Sequence, residues 1–95
     1  MRFDLGHVVT TRGVQDLMEV RKQGDLFKQL LNRHSQCDWG SLDEEDQAYN
    51  NSNFEKDTDL KKGTLMSVYT VEDQTIWIIT EWDRSVTTLL LPSEY

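Results

Sequence analysis

The chain has 95 residues, of which 37% are hydrophobic and 28% charged, and its net charge is −7. This length and composition predict a single globular domain over residues 1–95 with a modest core. The longest unbroken apolar run, Ile76–Ile79, is far too short to cross a membrane. No apolar signal core follows Met1, so we expect no secretion by that route. The single cysteine, Cys37, excludes an internal disulfide framework and suits a reducing cytoplasm.

The negative charge is concentrated in the middle of the chain. The segment from Asp38 to Asp59 contains eight acidic residues and one base, Lys56, which leaves seven negative charges in excess. The whole chain has 17 acids and 10 bases, so the remainder is balanced. An acidic surface repels phosphate backbones and attracts basic surfaces. We therefore expect a basic protein surface as partner and no direct nucleic-acid binding; the alternative is an ordinary solvated helix start followed by a polar loop.

The N-terminal part shows two helical patterns after a short extended segment. Residues Val8–Thr11 favour extended backbone and predict either a short strand or a lead-in loop. A first helix is predicted from near Gly13 by the spacing of Val14, Leu17, Met18 and Arg21. Gly24 fits a helix stop and Asp25 the next N-cap. A second helix, ending near residues 34–36, is predicted by the stripe of Leu26, Phe27, Leu30 and Leu31.

A third helix is predicted from a capping box, with Ser41 as N-cap and Glu44 at the third helical position. It is expected to reach Phe54, with apolar contacts from Leu42, Ala48, Tyr49 and Phe54. Its first turn is crowded with the acidic residues Asp43, Glu44, Glu45 and Asp46. Helix capping explains these carboxylates better than calcium binding, because the alternating ligands and central glycine of an EF-hand loop are absent. Residues 55–62 are predicted to form a charged loop closed by Gly63.

The C-terminal third predicts three strands, over residues 64–71, 75–82 and 86–91, with turns at 72–74 and 83–85. The second strand has apolar residues on both faces, which is typical of a central strand. The short connections imply an antiparallel meander. We therefore predict an α+β fold, in which two to three N-terminal helices pack on a C-terminal three-stranded antiparallel β-meander, with a short extra N-terminal strand as one option.

Residues that could support catalysis or metal binding are few. His34 and Cys37 are three positions apart, but a zinc site needs about four ligands, and the other histidine is His7. Asp83 and Arg84, with Glu81, could form an acid–base cluster or bind a phosphate, although a turn stabilised by a local ion pair is the simpler explanation. The sequence has no glycine-rich phosphate loop and no local Ser–His–Asp set. We predict no cofactor, no metal and no enzymatic activity.

Three tryptophans are a large aromatic content for so small a chain. Of Trp77 and Trp82, one is expected to enter the core and the other to lie under a loop or at an interface, because exposed tryptophans often mark contacts. The predicted partner-binding residues combine the acidic segment with two tryptophans and an arginine: Asp38, Trp39, Asp43, Glu44, Glu45, Asp46, Trp82 and Arg84.

Three stretches, Asp38-Trp39-Gly40, Ile76–Glu81 and Asp83–Tyr95, resemble a family of small bacterial proteins carried by plasmids, phages and integrated elements. The resemblance covers most of the chain and is most specific in the C-terminal stretch. It implies a shared fold and a mobile-element context, and it implies no catalytic residues. The sequence differs from the family pattern at Trp82, where a small residue is more common.

The resulting hypothesis is a non-enzymatic, cytoplasmic protein-binding module of a mobile element, with no membrane association. One concrete form is an inhibitor of a host defence nuclease that acts by charge mimicry. One alternative is a toxin-type enzyme that uses Arg84, Glu81, His34 and Tyr95. Ribosome-dependent and gyrase-directed toxins share the order of helices before a meander but are usually basic, whereas this chain carries −7. Another alternative is a structural homodimer joined through a strand edge or Trp82.

Overall fold

A computed structural model describes residues 3–21, 24–55, 63–71 and 73–95. Within these residues the order of elements is β1 (His7–Thr10), α1 (Arg12–Arg21), α2 (Gly24–Ser35), α3 (Glu44–Glu55), β2 (Leu65–Val71), β3 (Gln74–Thr80) and β4 (Val86–Leu90), followed by a 3₁₀ helix over Pro92–Glu94. The predicted α+β class is confirmed. The charged loop is predicted at residues 55–62, and residues 56–62 lie outside the described residues.

The strands form one mixed sheet in the order β1-β4-β3-β2. The antiparallel pairing of β2 with β3 and of β3 with β4 is confirmed, and β3 is interior, as its two apolar faces indicated. The sheet is not the predicted three-stranded antiparallel one: it has four strands and is mixed, the optional N-terminal strand is present, and the helices therefore do not precede every strand. A fourth strand, β1, precedes α1 and pairs parallel with β4, with His7 opposite Val86 and Thr10 opposite Leu89. Local sequence could not reveal this pairing, because the two strands lie at opposite ends of the chain.

One face of the sheet packs against α1 and α2. The core combines Val14, Phe27 and Leu30 of the helices with the inward residues of the strands, namely Tyr69, Val71, Ile76, Ile78 and Leu89. The apolar stripes predicted for the two helices are therefore their buried faces. A smaller cluster of Phe3, Trp39 and Leu65 anchors the N-terminal segment and the connection between α2 and α3.

Two predicted helix boundaries are wrong. Gly24 begins α2 and does not end α1, so Asp25 lies in the first turn of α2. The N-cap of α3 is Asp43 and not Ser41, because Asp43 Oδ1 accepts the backbone N–H of Asp46 at 2.8 Å. The backbone N–H of Ser41 instead donates to Val68 O at 2.7 Å. This tertiary bond holds residue 41 alongside β2 and delays the start of the helix.

The edge of β2 is closed by polar groups of the chain itself. The buried Asn50 of α3 donates from Nδ2 to Met66 O at 2.5 Å, and Met66 N–H donates to Asn50 Oδ1 at 3.2 Å. The carboxamide thus stands in for the peptide group of a neighbouring strand. Two residues further along the strand, the Val68 N–H donates to Trp39 O at 3.1 Å. Because an open edge invites pairing with other chains, these bonds protect β2.

Gly40 permits this close approach beside β2. Its φ is +73°, and a Cβ at this position would lie 2.0 Å from Val68 O. Any other residue would therefore push the segment away from the strand and break the bonds that Trp39 and Ser41 make with Val68.

Replacing Asn50 with alanine should lower the free energy of unfolding by about 2 kcal/mol, because both backbone groups of Met66 lose their partner at a partly buried edge. Urea unfolding followed by circular dichroism measures the change. Asn32→Ala, at an exposed position of α2, serves as the matched control and should change stability far less. Equal effects of the two substitutions would contradict the role given to Asn50.

The side-chain carboxylate of Glu94, near the C-terminus, caps the start of α1. Its Oε1 accepts the Thr11 hydroxyl at 2.5 Å and the Leu91 N–H at 3.0 Å, and its Oε2 accepts the Gly13 N–H at 2.9 Å. These hydrogen bonds, the one from Thr11 first, lower the pKa of Glu94. A negative charge at this place also complements the positive end of the helix dipole.

Replacing Glu94 with glutamine should destabilise the protein at neutral pH, and the difference from wild type should shrink in acid. A carboxyl group whose pKa is depressed by folding contributes stability above its unfolded pKa and loses it as the pH falls through the folded pKa. Thermal unfolding at several pH values measures this. Asp16→Asn, an exposed carboxylate on α1, is the control, and a difference independent of pH would contradict the assignment.

Candidate functional site

The first turn of α3 exposes a group of carboxylates to solvent. Glu44, Glu45 and Asp46 follow one another at the start of the helix, directly after the N-cap Asp43, and all four residues are exposed. Within the described parts of the chain, no lysine or arginine forms an ion pair with any of them. The helix dipole favours negative charge at this end, although the carboxylates repel one another. We call Asp43, Glu44, Glu45 and Asp46 the acidic turn.

Asp38 belongs to a separate arrangement. Its Oδ2 accepts from Arg33 Nε at 2.7 Å, and its Oδ1 accepts from the Gly40 N–H at 3.2 Å. The bond from Arg33 is the main reason that the pKa of Asp38 is lowered, and the same bond raises the pKa of Arg33. Since Arg33 balances its charge, Asp38 adds little to the attraction of a basic surface.

Trp39 and Arg84, two of the predicted partner-binding residues, are buried. Trp39 stacks on Phe3 with ring centroids 6.2 Å apart, and its Nε1 donates to Asn51 Oδ1 at 2.9 Å. Arg84 is 6% exposed, and its Nη1 donates to the carbonyl oxygens of Gly63, Glu81 and Trp82 at 2.6, 3.2 and 3.3 Å. Both side chains therefore hold the protein together and are not part of its exposed surface.

Trp82 lies on the turn between β3 and β4. The residue is 55% exposed, and its carbonyl oxygen accepts a hydrogen bond from Arg84. Arg84 has a positive φ of 60°, and Asp83 Oδ1 accepts both the N–H and the hydroxyl of Ser85. The structure thus brings Asp43, Glu44, Glu45 and Asp46 together and places Trp82 on a different turn, beside the start of β2.

An apolar groove lies next to the acidic turn, between α3 and the edge of β2. It has a volume of about 270 Å³ and is lined by Leu42, Asp46, Tyr49, Asn50, Thr64 and Met66. Tyr49 is 63% exposed, and Asp46 is the charged residue of the lining. A lysine or arginine side chain combines an apolar stem with a cationic head. The combination of an apolar slot and a carboxylate matches that chemistry.

Sequence reasoning missed this groove because it assigned Tyr49 to the apolar contacts of the third helix. Among the described side chains of α3, Asn50 bonds β2 and Asn51 bonds Trp39, while Tyr49 lies at the surface. The one sequence signal was the run of asparagines in the helix, which indicates specific hydrogen bonding more than helix propensity.

A second groove crosses the sheet face that points away from α1 and α2. Its volume is about 390 Å³, and it is lined by Thr11, Thr64, Ile79, Glu81, Thr88, Leu90, Glu94 and Tyr95. Tyr95 covers part of this face by packing edge-on against Trp77, with centroids 5.6 Å apart. The charged side chains that line this groove, Glu81 and Glu94, are acidic, as Asp46 is in the first groove.

A chain of buried hydrogen bonds runs through His34, which is 0% exposed. Thr87 Oγ1 donates to Leu5 O at 2.6 Å, so Thr87 must accept from Thr80, whose Oγ1 lies 2.7 Å away. Since Thr80 uses its single proton there, it accepts from His34 Nε2 at 2.8 Å. His34 Nδ1 then accepts from Ser67 Oγ at 2.5 Å. The geometry therefore assigns the neutral Nε2–H tautomer to His34.

This arrangement leaves His34 no freedom to act on a substrate. Both ring nitrogens are bound, to Ser67 and Thr80, so neither is available to activate Cys37 as a nucleophile. Burial, followed by the charge of Arg84, lowers the pKa of His34 to about 3, which keeps the ring neutral near pH 7. Among the described residues, no group of three or more His, Cys, Asp or Glu side chains is placed to hold a metal ion.

No family model, curated protein or solved structure matches the chain. In the described part of the chain, none of the helices has the length and apolar character needed to cross a bilayer.

The stability of the protein should fall as the pH is lowered from about 6.5 to about 5, by up to about 1.4 kcal/mol per pH unit. The unfolded histidine takes up a proton in this range, whereas folded His34, with a pKa of about 3, does not. Its contribution is therefore full above pH 6.5 and is lost on acidification. Urea unfolding across this range measures the slope.

The variant His34→Gln should be less stable than wild type but should lose most of this slope, and His7→Gln, at an exposed position, should keep it. A slope that survives in His34→Gln would contradict the assignment. Long-range ¹⁵N–¹H spectra at neutral pH check the tautomer directly, since they distinguish Nε2–H from Nδ1–H.

Proposed function

We propose that this protein is a non-enzymatic protein-binding module that docks on a basic protein surface through the acidic turn and the adjacent groove. The observation that carries the proposal is the exposure of four consecutive carboxylates beside an apolar slot, with no described lysine or arginine paired to them. The carboxylates attract a positive surface, and the slot provides apolar area that can be buried on contact.

The carboxylates contribute chiefly to the rate and selectivity of association. Exposed charges interact weakly in water, and physiological salt screens them beyond roughly 8 Å. A cluster of like charges nevertheless steers an oppositely charged partner and repels a wrong one. Binding through this surface is therefore expected to weaken strongly as salt is added.

Tyr49 is the contact residue expected to contribute most to affinity. Its ring is largely exposed and forms one wall of the groove, with Leu42 and Met66 as apolar neighbours. Exposed tyrosines lose little conformational entropy on binding and often dominate interface energetics. In this proposal, the stem of a lysine or arginine from the partner lies in the groove, and its charged end meets Asp46.

A mobile-element context remains part of the proposal and is supported by the family resemblance of the Asp38–Gly40 and C-terminal stretches. Under that reading, the partner is a nucleic-acid-binding protein such as a defence nuclease, whose basic groove the acidic turn enters in place of phosphates. A cytoplasmic location is part of the same proposal. The toxin-type enzyme is less well supported, because His34 and Arg84 are buried and hydrogen-bonded within the core.

Neutralising three carboxylates of the acidic turn should strongly reduce the capture of basic partners. The triple variant Glu44→Gln, Glu45→Gln, Asp46→Asn keeps the N-cap Asp43 and removes three charges. Immobilised wild-type protein exposed to bacterial extract at low salt should retain a basic protein, and the variant should retain about tenfold less of it. Quantitative mass spectrometry of the eluates measures the difference.

The matched control removes three exposed carboxylates from α1 and α2 by the changes Asp16→Asn, Glu19→Gln and Asp25→Asn. Its net charge equals that of the first variant, so any difference between the two reports the location of the charge. Tyr49→Ser should reduce capture without changing the charge. Equal capture by wild type and by the acidic-turn variant would overturn the proposal.

A further inference from the structure

Strand β1 is an edge strand whose outer side is exposed. On its inner side, the His7 N–H donates to Ser85 O at 2.8 Å, and the Thr11 N–H donates to Leu89 O at 3.0 Å. Backbone groups alternate in direction along a strand, so residues 7, 9 and 11 bond toward β4. The N–H and C=O groups of Val8 and Thr10 therefore point away from the sheet. The side chain of Val8 is 41% exposed.

The two edges of the sheet are treated differently. At β2, the outward groups of Met66 and Val68 are bonded by Asn50, Trp39 and Ser41. At β1, the strand His7–Thr10 carries neither lysine nor proline, which are the residues that commonly prevent edge pairing. The residues that the structure describes close the β2 edge and leave the β1 edge exposed, and an exposed edge is suited to strand addition.

We propose that a second copy of this chain pairs with β1 in antiparallel orientation about a two-fold axis that passes beside Val9. In this register, Val8 of each copy faces Thr10 of the other, and each such pair exchanges two hydrogen bonds, which gives four in total. Val9 lies opposite its own symmetry mate. The dimer contains one continuous sheet in which the two β1 strands lie at the centre.

Charge opposes the association of two copies less at this edge than on the described surface near α3. Strand β1 contains no acidic residue, whereas the acidic turn belongs to α3, which packs on β2 at the far edge of the sheet. Two copies that join through β1 therefore keep their acidic turns at opposite ends of the dimer. The net charge of −7 on each chain then opposes association less than it would at any interface that includes α3. The short strand makes this a weak dimer, populated at high protein concentration.

Sedimentation equilibrium of the full chain tests the proposal. The mass should rise from 11.1 kDa toward twice that value as the concentration approaches about 1 mM. Val8→Pro removes an N–H that points outward and bonds nothing in β4, so the monomer should stay folded while dimer affinity falls by about tenfold or more. Val8→Thr keeps the N–H and the branched side chain and should still dimerise.

Thr70→Pro is the matched control, because Thr70 lies on the outer side of β2 in the same alternation as Val68. It places a proline on the opposite edge and should leave dimerisation unchanged, with urea unfolding confirming that each variant is folded. Hydrogen exchange gives a second readout, since the amides of Val8 and Thr10 should become protected as the concentration rises.

Three results would overturn the proposal. The first is a wild-type chain that stays monomeric at every concentration, which would leave the edge to a strand of another protein. The second is a dimer that survives Val8→Pro or is lost in Thr70→Pro, because its interface would then lie elsewhere. The third is protection of Val8 and Thr10 that does not depend on concentration. These measurements involve no basic partner, so their outcome is independent of the proposed function.

Discussion

The directed chain of hydrogen bonds through His34 joins the helical layer to the sheet. It connects α2 to Ser67 on β2, Thr80 on β3 and Thr87 on β4, and it ends at the backbone of Leu5. Every member is buried, and each hydroxyl proton has one acceptor, so loss of any member would leave its neighbours without partners in a low-dielectric interior. This requirement fixes how α2 sits on the strands. It also gives His34 a structural role, because both of its ring nitrogens are bound.

Among its described side chains, helix α3 has a structural face and a surface face. Its inner face binds β2 and Trp39 through Asn50 and Asn51, and its outer face carries the acidic turn and Tyr49. Only Asp43, as N-cap, has both roles. The remaining carboxylates have no structural partner among the described residues, and four like charges on one turn repel one another. In the proposed function, these carboxylates and the adjacent groove meet an external partner, while the helix dipole offsets part of their mutual repulsion.

The parts of the fold that local patterns determine could be predicted, and those set by distant contacts could not. Alternation revealed the meander, and helical spacing revealed α1 and α2, because burial on one face produces both patterns. The pairing of β1 with β4 joins opposite ends of the chain. The start of α3 depends on a bond between Ser41 and Val68, which no capping pattern contains. The cluster of acidic residues could be predicted from the sequence. The exposure of Tyr49 could not, because it depends on the bonds that Asn50 and Asn51 make to β2 and Trp39.

The same distinction applies to the residues that were expected to contact a partner. Arg84 is drawn inward by three carbonyl oxygens that converge where the β3–β4 turn meets Gly63, a geometry that depends on the sheet. The buried guanidinium thereby holds the β3–β4 turn on which Trp82 is exposed.

A dimer formed through β1 would contain eight strands, and at about 4.8 Å per strand its two β2 edges would lie about 34 Å apart. If this dimer and the proposed docking both hold, the acidic turns lie toward the two ends of the sheet, and they can reinforce each other only on a partner that presents two basic surfaces at matching separation.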